Sequence, residues 1–405
     1  MDALAGAIPA GVSSSAPRQL ALTSAAQILA MGLWFSASSV VPALRAEWAL
    51  STQGTVLLTA SVQVGFAAGA LVSAVANLAD RLRPERLLAA SAAAGALLTL
   101  LFPLCGDQFW LAVLLRFGTG MALAGVYPVG MKIVVSWFPN SRGLALGVLL
   151  AALALGSASP HLLAGSLPEW RTVLVVAALL ALGAAALAVL FVHVGPAARR
   201  SPPWEPRYLL TMARDRRQRL IAFGYFGHMW ELYAFWTWIP AYAAAASQRS
   251  VSLLAFTVIG VGGAIGCLLG GALSDRFGRI DVALAALAVS GTCCLISAFV
   301  FGAHPAVLGT LLFVWGVAAI ADSGQFSAAL SEAADARYVG TALTAQTAIG
   351  FLLSALTIQG LPVLADAVGW RAAAPALAVG PLLGVIAMVR LRRTSLDQIS
   401  KSVIN

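Results

Sequence analysis

The chain has 405 residues, 60% of them hydrophobic and 10% charged, with a mean hydropathy of +0.88. An ordinary soluble domain is about 45–50% apolar and about 25% charged, so a water-soluble enzyme is excluded as the starting assumption. The net charge of +9 is compatible with a nucleic-acid partner until the positions of the basic residues are known.

Residues 1–19, MDALAGAIPAGVSSSAPRQ, are small, polar and proline-containing, and predict a disordered cytoplasmic tail. They lack the basic start of a cleaved signal peptide. A helix that crosses a bilayer needs about 20 mostly apolar residues. Apolar windows predict twelve such spans: 20–42, 54–76, 86–105, 108–132, 143–165, 171–194, 220–245, 251–273, 281–301, 305–328, 340–364 and 371–390. The expected fold is therefore all-α and integral to the membrane. Its expected parts are a first six-helix bundle over 20–194, a basic linker over 195–219, a second bundle over 220–390 and a C-terminal tail over 391–405.

Even numbers of spans put both termini on one side. With the N-terminus inside, 19 of the 25 basic residues fall on that side and only Arg45, Arg171, Arg249 and Arg371 on the other. This is the positive-inside pattern, with both ends cytoplasmic in a plasma membrane, or an inner membrane in a Gram-negative cell. It accounts for the basic balance without nucleic acid. The linker carries seven arginines against Glu205 and Asp215, and its 206–219 stretch suits a membrane surface with anionic headgroups. The four cysteines, Cys105, Cys267, Cys293 and Cys294, sit in or beside apolar runs without a CxxC spacing. They are expected to be packing residues, with no metal and no cofactor.

Landmarks recur in the same order. LADR ends the second span and LSDR the eighth, with Asp80 and Asp275 195 residues apart. Trp170-Arg171 opens the sixth span and Trp370-Arg371 the twelfth, 200 apart, while Gly143 and Gly340 open the fifth and eleventh, 197 apart. A duplicated six-helix unit is implied.

Charge inside a span costs about 2.5–3.5 kcal/mol on insertion scales, so it is paired or faces a wet cavity. In the fourth span these are Arg116 and Lys132, in the seventh Glu231, and in the tenth Asp322. His228 lies three residues before Glu231 and shares its helix face, with Tyr225 three further back and Trp238 seven beyond Glu231. A carboxylate and an imidazole so placed can share a proton. Glu231, His228, Asp322 and Arg116 are the proton-coupling candidates; pairing of Glu231 with an arginine such as Arg116, or of Asp322 with Lys132, are the structural alternatives. Substrate-binding candidates are Gln27, Trp34, Gln63, Arg116, Tyr127, Lys132, Tyr225, Trp230, Trp238, Gln325 and Gln346.

The loop Gly271-Ala272-Leu273-Ser274-Asp275-Arg276-Phe277-Gly278-Arg279 matches the pattern G-x-L-x-D-R-x-G-R, and its first-half copy keeps Asp80 and Arg81. Arg116 to Gly120 gives R-x-x-x-G in the fourth span, followed by Tyr127-Pro128, Trp137-Phe138-Pro139 and Arg142-Gly143. On these motifs the chain resembles a major facilitator superfamily transporter over essentially its whole length. The resemblance implies two pseudo-symmetric six-helix bundles around a midplane cavity and transport by alternating access. It implies a conformational latch at Asp80, Arg81, Arg142, Gly271, Asp275, Arg276, Gly278 and Arg279, and a link of Arg116 to proton transfer or to internal pairing. Two departures narrow it. The fifth span keeps Pro160 but lacks most glycines of the antiporter pattern, and the second and eighth spans lack the arginines of nitrate carriers.

The expected function is proton-coupled secondary transport, first of a small organic anion or zwitterion, by a monomer whose partners are a small-molecule substrate, protons and the bilayer. Proton-exchange efflux of amphipathic compounds is one alternative, and a non-transporting solute sensor is another. No G-x-x-x-x-G-K-[ST] loop, G-x-S-x-G elbow or H-E-x-x-H helix occurs, so neither ATP drive nor enzyme activity is expected.

Overall fold

The computed structural model describes residues 15–106, 108–138, 142–167, 169–198, 204–247, 251–335 and 337–404. The side chains of Asp80, Arg142 and residues 395–404 lie outside that description, as does most of the expected N-terminal tail. Among the described residues there is no β-strand. Six long helices come first: α1 (Ala16–Phe35), α2 (Thr52–Val75), α3 (Pro84–Leu101), α4 (Phe109–Trp137), α5 (Gly143–Ser166) and α6 (Trp170–Phe191). Six more follow: α7 (Arg216–Ser247), α8 (Ser252–Phe277), α9 (Arg279–Val300), α10 (Pro305–Ala333), α11 (Val339–Val368) and α12 (Trp370–Thr394).

Ten of these are long and apolar enough to cross a membrane, and α1 makes an eleventh when joined to Ser38–Trp48 across a 48° bend. The remaining helix, α7, has 32 residues. Its length suffices, but His228, Glu231 and a run of tyrosines and tryptophans dilute its apolar character.

Three boundaries differ from the sequence reading. Helix α1 begins at Ala16, so residues 16–19 are helical because Pro17 fits a first helical turn. Helix α7 starts at Arg216, inside the expected linker. The helix of α12 runs on to Ile404 through the expected C-terminal tail, where no proline or glycine interrupts it.

The chain forms two compact units: residues 1–201 with 250–264, and residues 202–249 with 265–405. In the first, α2 and α4 approach so closely at Gly65 and Gly69 that a side chain there would collide with the backbone of Phe117 and Met121. Small residues four apart allow this contact in a bilayer, where packing rather than hydrophobicity joins helices. One end is closed by Trp48 stacked on Phe102 at 5.5 Å and edge-on to Trp170 at 5.8 Å. There Glu47 accepts from Trp170 Nε1 at 2.7 Å and pairs with Arg171. At the other end Gln19 reaches across α6, accepting from His193 N at 2.9 Å, while Trp137 Nε1 donates to His193 O at 2.7 Å.

The second unit repeats the glycine seam. Gly266 and Gly270 of α8 meet the backbone of Val317 and Ala321 in α10. The α2 and α8 glycines are 201 residues apart and the α4 and α10 positions 200 apart, which carries the duplication into the packing. Helix α7 lies against α11 and α12, with Gly227 and Gly380 in backbone contact. A short helix, Tyr208–Arg214, leads into α7. Its Tyr208 stacks on Tyr338 at 4.8 Å and donates to Gln218 at 3.2 Å. Within α8, Phe256–Gly262 is π-helical.

Candidate functional site

The α7 face predicted from spacing does carry a polar cluster, and it points into the second unit. Glu231 is 1% exposed. Its carboxylate accepts from Ser290 Oγ at 2.9 Å and Cys294 Sγ at 3.3 Å on α9, and from Trp315 Nε1 at 2.5 Å on α10. All three donors are neutral. The Arg116 guanidinium, in the first unit, donates to carbonyls and a hydroxyl of the α1 region. Ser290, Cys294 and Trp315 were not singled out from the sequence. Ser290 and Cys294 are one helical turn apart, but in an apolar span such residues read as packing.

His228, one turn before Glu231, turns to α10. Its Nδ1 lies 2.7 Å from Asp322 Oδ1, and both side chains are buried. The contact is short but not aligned as a hydrogen bond, and His228 Nε2 has no hydrogen-bond partner. Tyr225 and Phe326 wall the imidazole, with ring centroids 6.0 and 5.9 Å away. Asp322 stands at the break where α10 passes from Pro305–Ala321 to Ser323–Ala333. That break frees the side chain from a regular helical position. Asp322 therefore contacts His228. Nearby on the same helix, Gln325 Nε2 donates to Gly270 O at 3.1 Å, while its Oε1 is unpartnered. Gln346 of α11 is wholly buried, and neither amide atom has a partner.

Trp230 and Trp238 leave this cluster. Trp230 follows one residue before Glu231, about 100° around the helix, and its Nε1 donates to Ala376 O on the α12 side at 3.4 Å. Trp238 donates to Ile358 O at 2.8 Å and faces Trp370.

In the first unit the buried charge is Arg116, 1% exposed. It donates to Leu33 O at 3.1 Å, Trp34 O at 2.6 Å and Ser36 Oγ at 3.2 Å. These are the carbonyls at the end of α1, which lack intrahelical donors. Its guanidinium thus ties α4 to α1 through neutral oxygens. Trp34 packs on Phe66 at 4.8 Å, and the Gln63 amide, in its satisfying orientation, donates to Thr59 O at 2.7 Å and accepts from Trp34 Nε1 at 3.3 Å. Gln27 is completely buried with both amide atoms unpartnered, as are the hydroxyls of Thr23 and Ser24. Gly130 of α4 opposes Gln27 and Thr23. Tyr127 opens the second segment of α4, and Lys132 in that segment donates to Ala79 O at 2.9 Å.

Of the latch residues, Asp275 and Arg276 are exposed at the end of α8. Arg276 lies over the Phe277 ring, 5.2 Å from its centroid. Gly278 has φ +87°, a left-handed turn that an L side chain strains to adopt, and it starts α9. Arg279 pairs with Glu332 at 2.7 Å. Gly271 accepts through its carbonyl from Ser274 at 2.8 Å, Arg81 closes a one-turn helix, Leu78–Arg81, and the Asp80 and Arg142 side chains lie outside the described residues.

A sequence profile described as the Major Facilitator Superfamily matches residues 23–358. The probable sulfoacetate transporter SauU of Cupriavidus necator is 27% identical over 268 residues, 59% of this chain and 60% of that protein. The MFS-type transporter pytF of Aspergillus terreus is 29% identical over 180 residues, 42% of this chain and 59% of that protein. The chain thus spans about three fifths of the length of the curated relatives it matches. A bacterial homologue of the human lysosomal transporter Spinster, solved inward-facing and unoccupied, superposes with a TM-score of 0.72 at 16% identity, covering 94% of this chain and 98% of that one. The nucleoside transporter NupG gives 0.70 at 11% identity, with coverage of 93% and 99%. At such identities the likeness is one of fold.

Proposed function

The chain belongs to the Major Facilitator Superfamily, and from that premise we propose that this membrane transporter takes up a small organic anion together with protons, by alternating access. The observation that carries the proton coupling is the Glu231 carboxylate, buried and held by three neutral donors. A charge so placed, with no cation in contact, is costly in a bilayer. Protonation removes that cost, and deprotonation restores it, so the site suits a proton that is loaded on one side and released on the other. His228 and Asp322 form a second titratable pair, one helical turn away along α7. Since Glu231 faces α9 and α10, its role is to hold the proton rather than to touch substrate.

The anion follows from Arg116 and from kinship. Arg116 brings a positive charge into the first unit and spends its donors on neutral oxygens, which leaves its charge uncompensated by contact. Gln27, in the same unit, is a buried amide with a donor to spare for a carboxylate or sulfonate oxygen. The relative SauU is described as a probable sulfoacetate transporter, a molecule with both groups. Entry of an anion with protons offsets the charge moved. We further propose a monomer in the plasma membrane, with both termini cytoplasmic; the positive-inside pattern supports that orientation.

The test is uptake of sulfoacetate and simple carboxylates into proteoliposomes under an inward proton gradient, with Glu231→Gln beside wild type. Gradient-driven uptake in the wild type, lost in the variant while substrate exchange without a gradient persists, is the expected result. Equal gradient-driven uptake by both proteins would remove Glu231 from coupling. Loss of a preloaded amphipathic compound from the proteoliposomes, driven by the same inward proton gradient, would instead favour proton-exchange efflux.

A further inference from the structure

A surface groove of about 890 Å³ opens along α7 and α12, with Leu353 of α11 in its wall. Helix α7 lines it with Arg216, Arg219, Leu220, Phe223, Gly227 and Trp230. Steps of three and four residues put these on one helical stripe. Helix α12 lines it with Val379, Leu383, Ile386, Ala387, Arg390 and Arg393, again one stripe. Because α7 begins with its arginines and α12 reaches its own late, all four guanidinium groups gather at one end of the groove. Phe223, Val379, Leu383 and Ile386 are 48–59% exposed along the rest. Among the described residues lining it there is no carboxylate, and none of the four arginines makes an ion pair. Arg392, just outside the groove, is by contrast neutralised by Asp281 at 3.0 Å.

We propose that this groove binds an anionic phospholipid of the cytoplasmic leaflet, with its phosphate on Arg216, Arg219, Arg390 and Arg393 and one acyl chain along the apolar stripe. Charge and length both select this occupant. Guanidinium groups pair with phosphate oxygens through two donors at once, and basic clusters at the cytoplasmic boundary attract anionic headgroups. From Arg219 to Trp230 the helix rises about 16 Å, close to half of a hydrocarbon core about 30 Å thick. A lipid with its head at the basic end therefore lays its chain alongside Phe223 and reaches the level of Trp230. A free phosphate would use the arginines and leave the apolar length unfilled. The contact between Gly227 and Gly380 joins the two helices within the groove, and Trp230, bonded to Ala376 O, sits toward its apolar end. This inference needs only the membrane setting and does not rest on the proposed substrate.

The test is native mass spectrometry of the purified full chain titrated with dioleoyl phosphatidylglycerol or dioleoyl phosphatidylcholine. One phosphatidylglycerol is expected to be retained in preference to phosphatidylcholine. The exposed-charge variant Arg219→Gln/Arg390→Gln should weaken it about thirtyfold, as two lost headgroup contacts of about 1 kcal/mol each imply. Ala387→Trp, which fills the groove and keeps every charge, should weaken it as well. A third readout needs no variant of the arginines: brominated phosphatidylglycerol should quench wild-type tryptophan fluorescence more than that of Trp230→Phe. Equal retention of both lipids by the wild type overturns the proposal, as does unchanged retention by both groove variants. Displacement by millimolar inorganic phosphate would reduce the site to a phosphate site, and self-association abolished by the arginine variant but indifferent to lipid would assign the groove to a second copy; either result overturns it.

Discussion

Nδ1 of His228 lies 2.7 Å from Oδ1 of Asp322, with both side chains almost wholly buried. The contact joins α7 to α10 at the point where α10 changes segment. Two groups that act as a unit give non-additive losses. His228→Asn and Asp322→Asn are each expected to lower gradient-driven uptake to a small but measurable rate, and the double variant should cost no more than the worse single one. Initial uptake rates in proteoliposomes check this; strictly additive losses would mean that the two act separately.

Arg116 holds the end of α1 by three oxygens, those of Leu33, Trp34 and Ser36. A lysine keeps the charge but lacks the planar fork that reaches two carbonyls and a hydroxyl together. Arg116→Lys should therefore lower stability by about 1–3 kcal/mol, the cost of leaving buried acceptors unsatisfied. The midpoint of thermal unfolding in detergent measures it. An unchanged midpoint would show that water or another donor takes over.

Gly270 touches the Ala321 backbone without room for a Cβ. Gly270→Val is expected to push α8 off α10, at the cost of about 1–3 kcal/mol typical of overpacking. Gly360→Ala is the control, since nothing lies near its added Cβ. Fluorescence-detected gel filtration should show the first variant losing its monodisperse peak and the second keeping it.

Trp315→Phe preserves a ring beside Phe235, whose centroid is 4.4 Å from that of Trp315. It removes the Nε1 donor to Glu231 together with part of the buried indole volume. A hydrogen bond to an ionised group contributes about 1.5–3 kcal/mol, so the thermal midpoint should fall clearly. Ser290→Ala should cost less, because it removes a longer hydrogen bond, 2.9 Å against 2.5 Å, and a much smaller side-chain volume.

The helices, their approximate ends and the duplication were legible because a bilayer demands long apolar runs and leaves charge at their ends. The polar face of α7 was legible for the same reason: Tyr225, His228 and Glu231 interrupt such a run at helical spacing. What lay across from that face was not. Ser290, Cys294 and Trp315 stand 59, 63 and 84 residues beyond Glu231, and no local pattern reports a contact at that separation. Trp230 reads as a substrate-binding candidate because tryptophans suggest pockets; adjacent helical residues point about 100° apart, and it lies on the α12 side, away from Glu231. The start of α7 was placed late because arginines look like loop, although a helix that leaves a bilayer continues readily with such residues.

The glycine seams place α4 and α10 in register 200 residues apart. On that register the counterpart of Arg116 is Gly316, and the counterpart of Asp322 is Ala122. The ancestral copies are still recognisable in how their backbones meet, but their buried charges have parted company. A chain assembled from two first halves would inherit two copies of Arg116 and neither Glu231 nor Asp322; one assembled from two second halves would inherit the reverse. The shared seam and the unlike charges leave the Glu231 and Asp322 carboxylates with the second copy and the buried Arg116 guanidinium with the first.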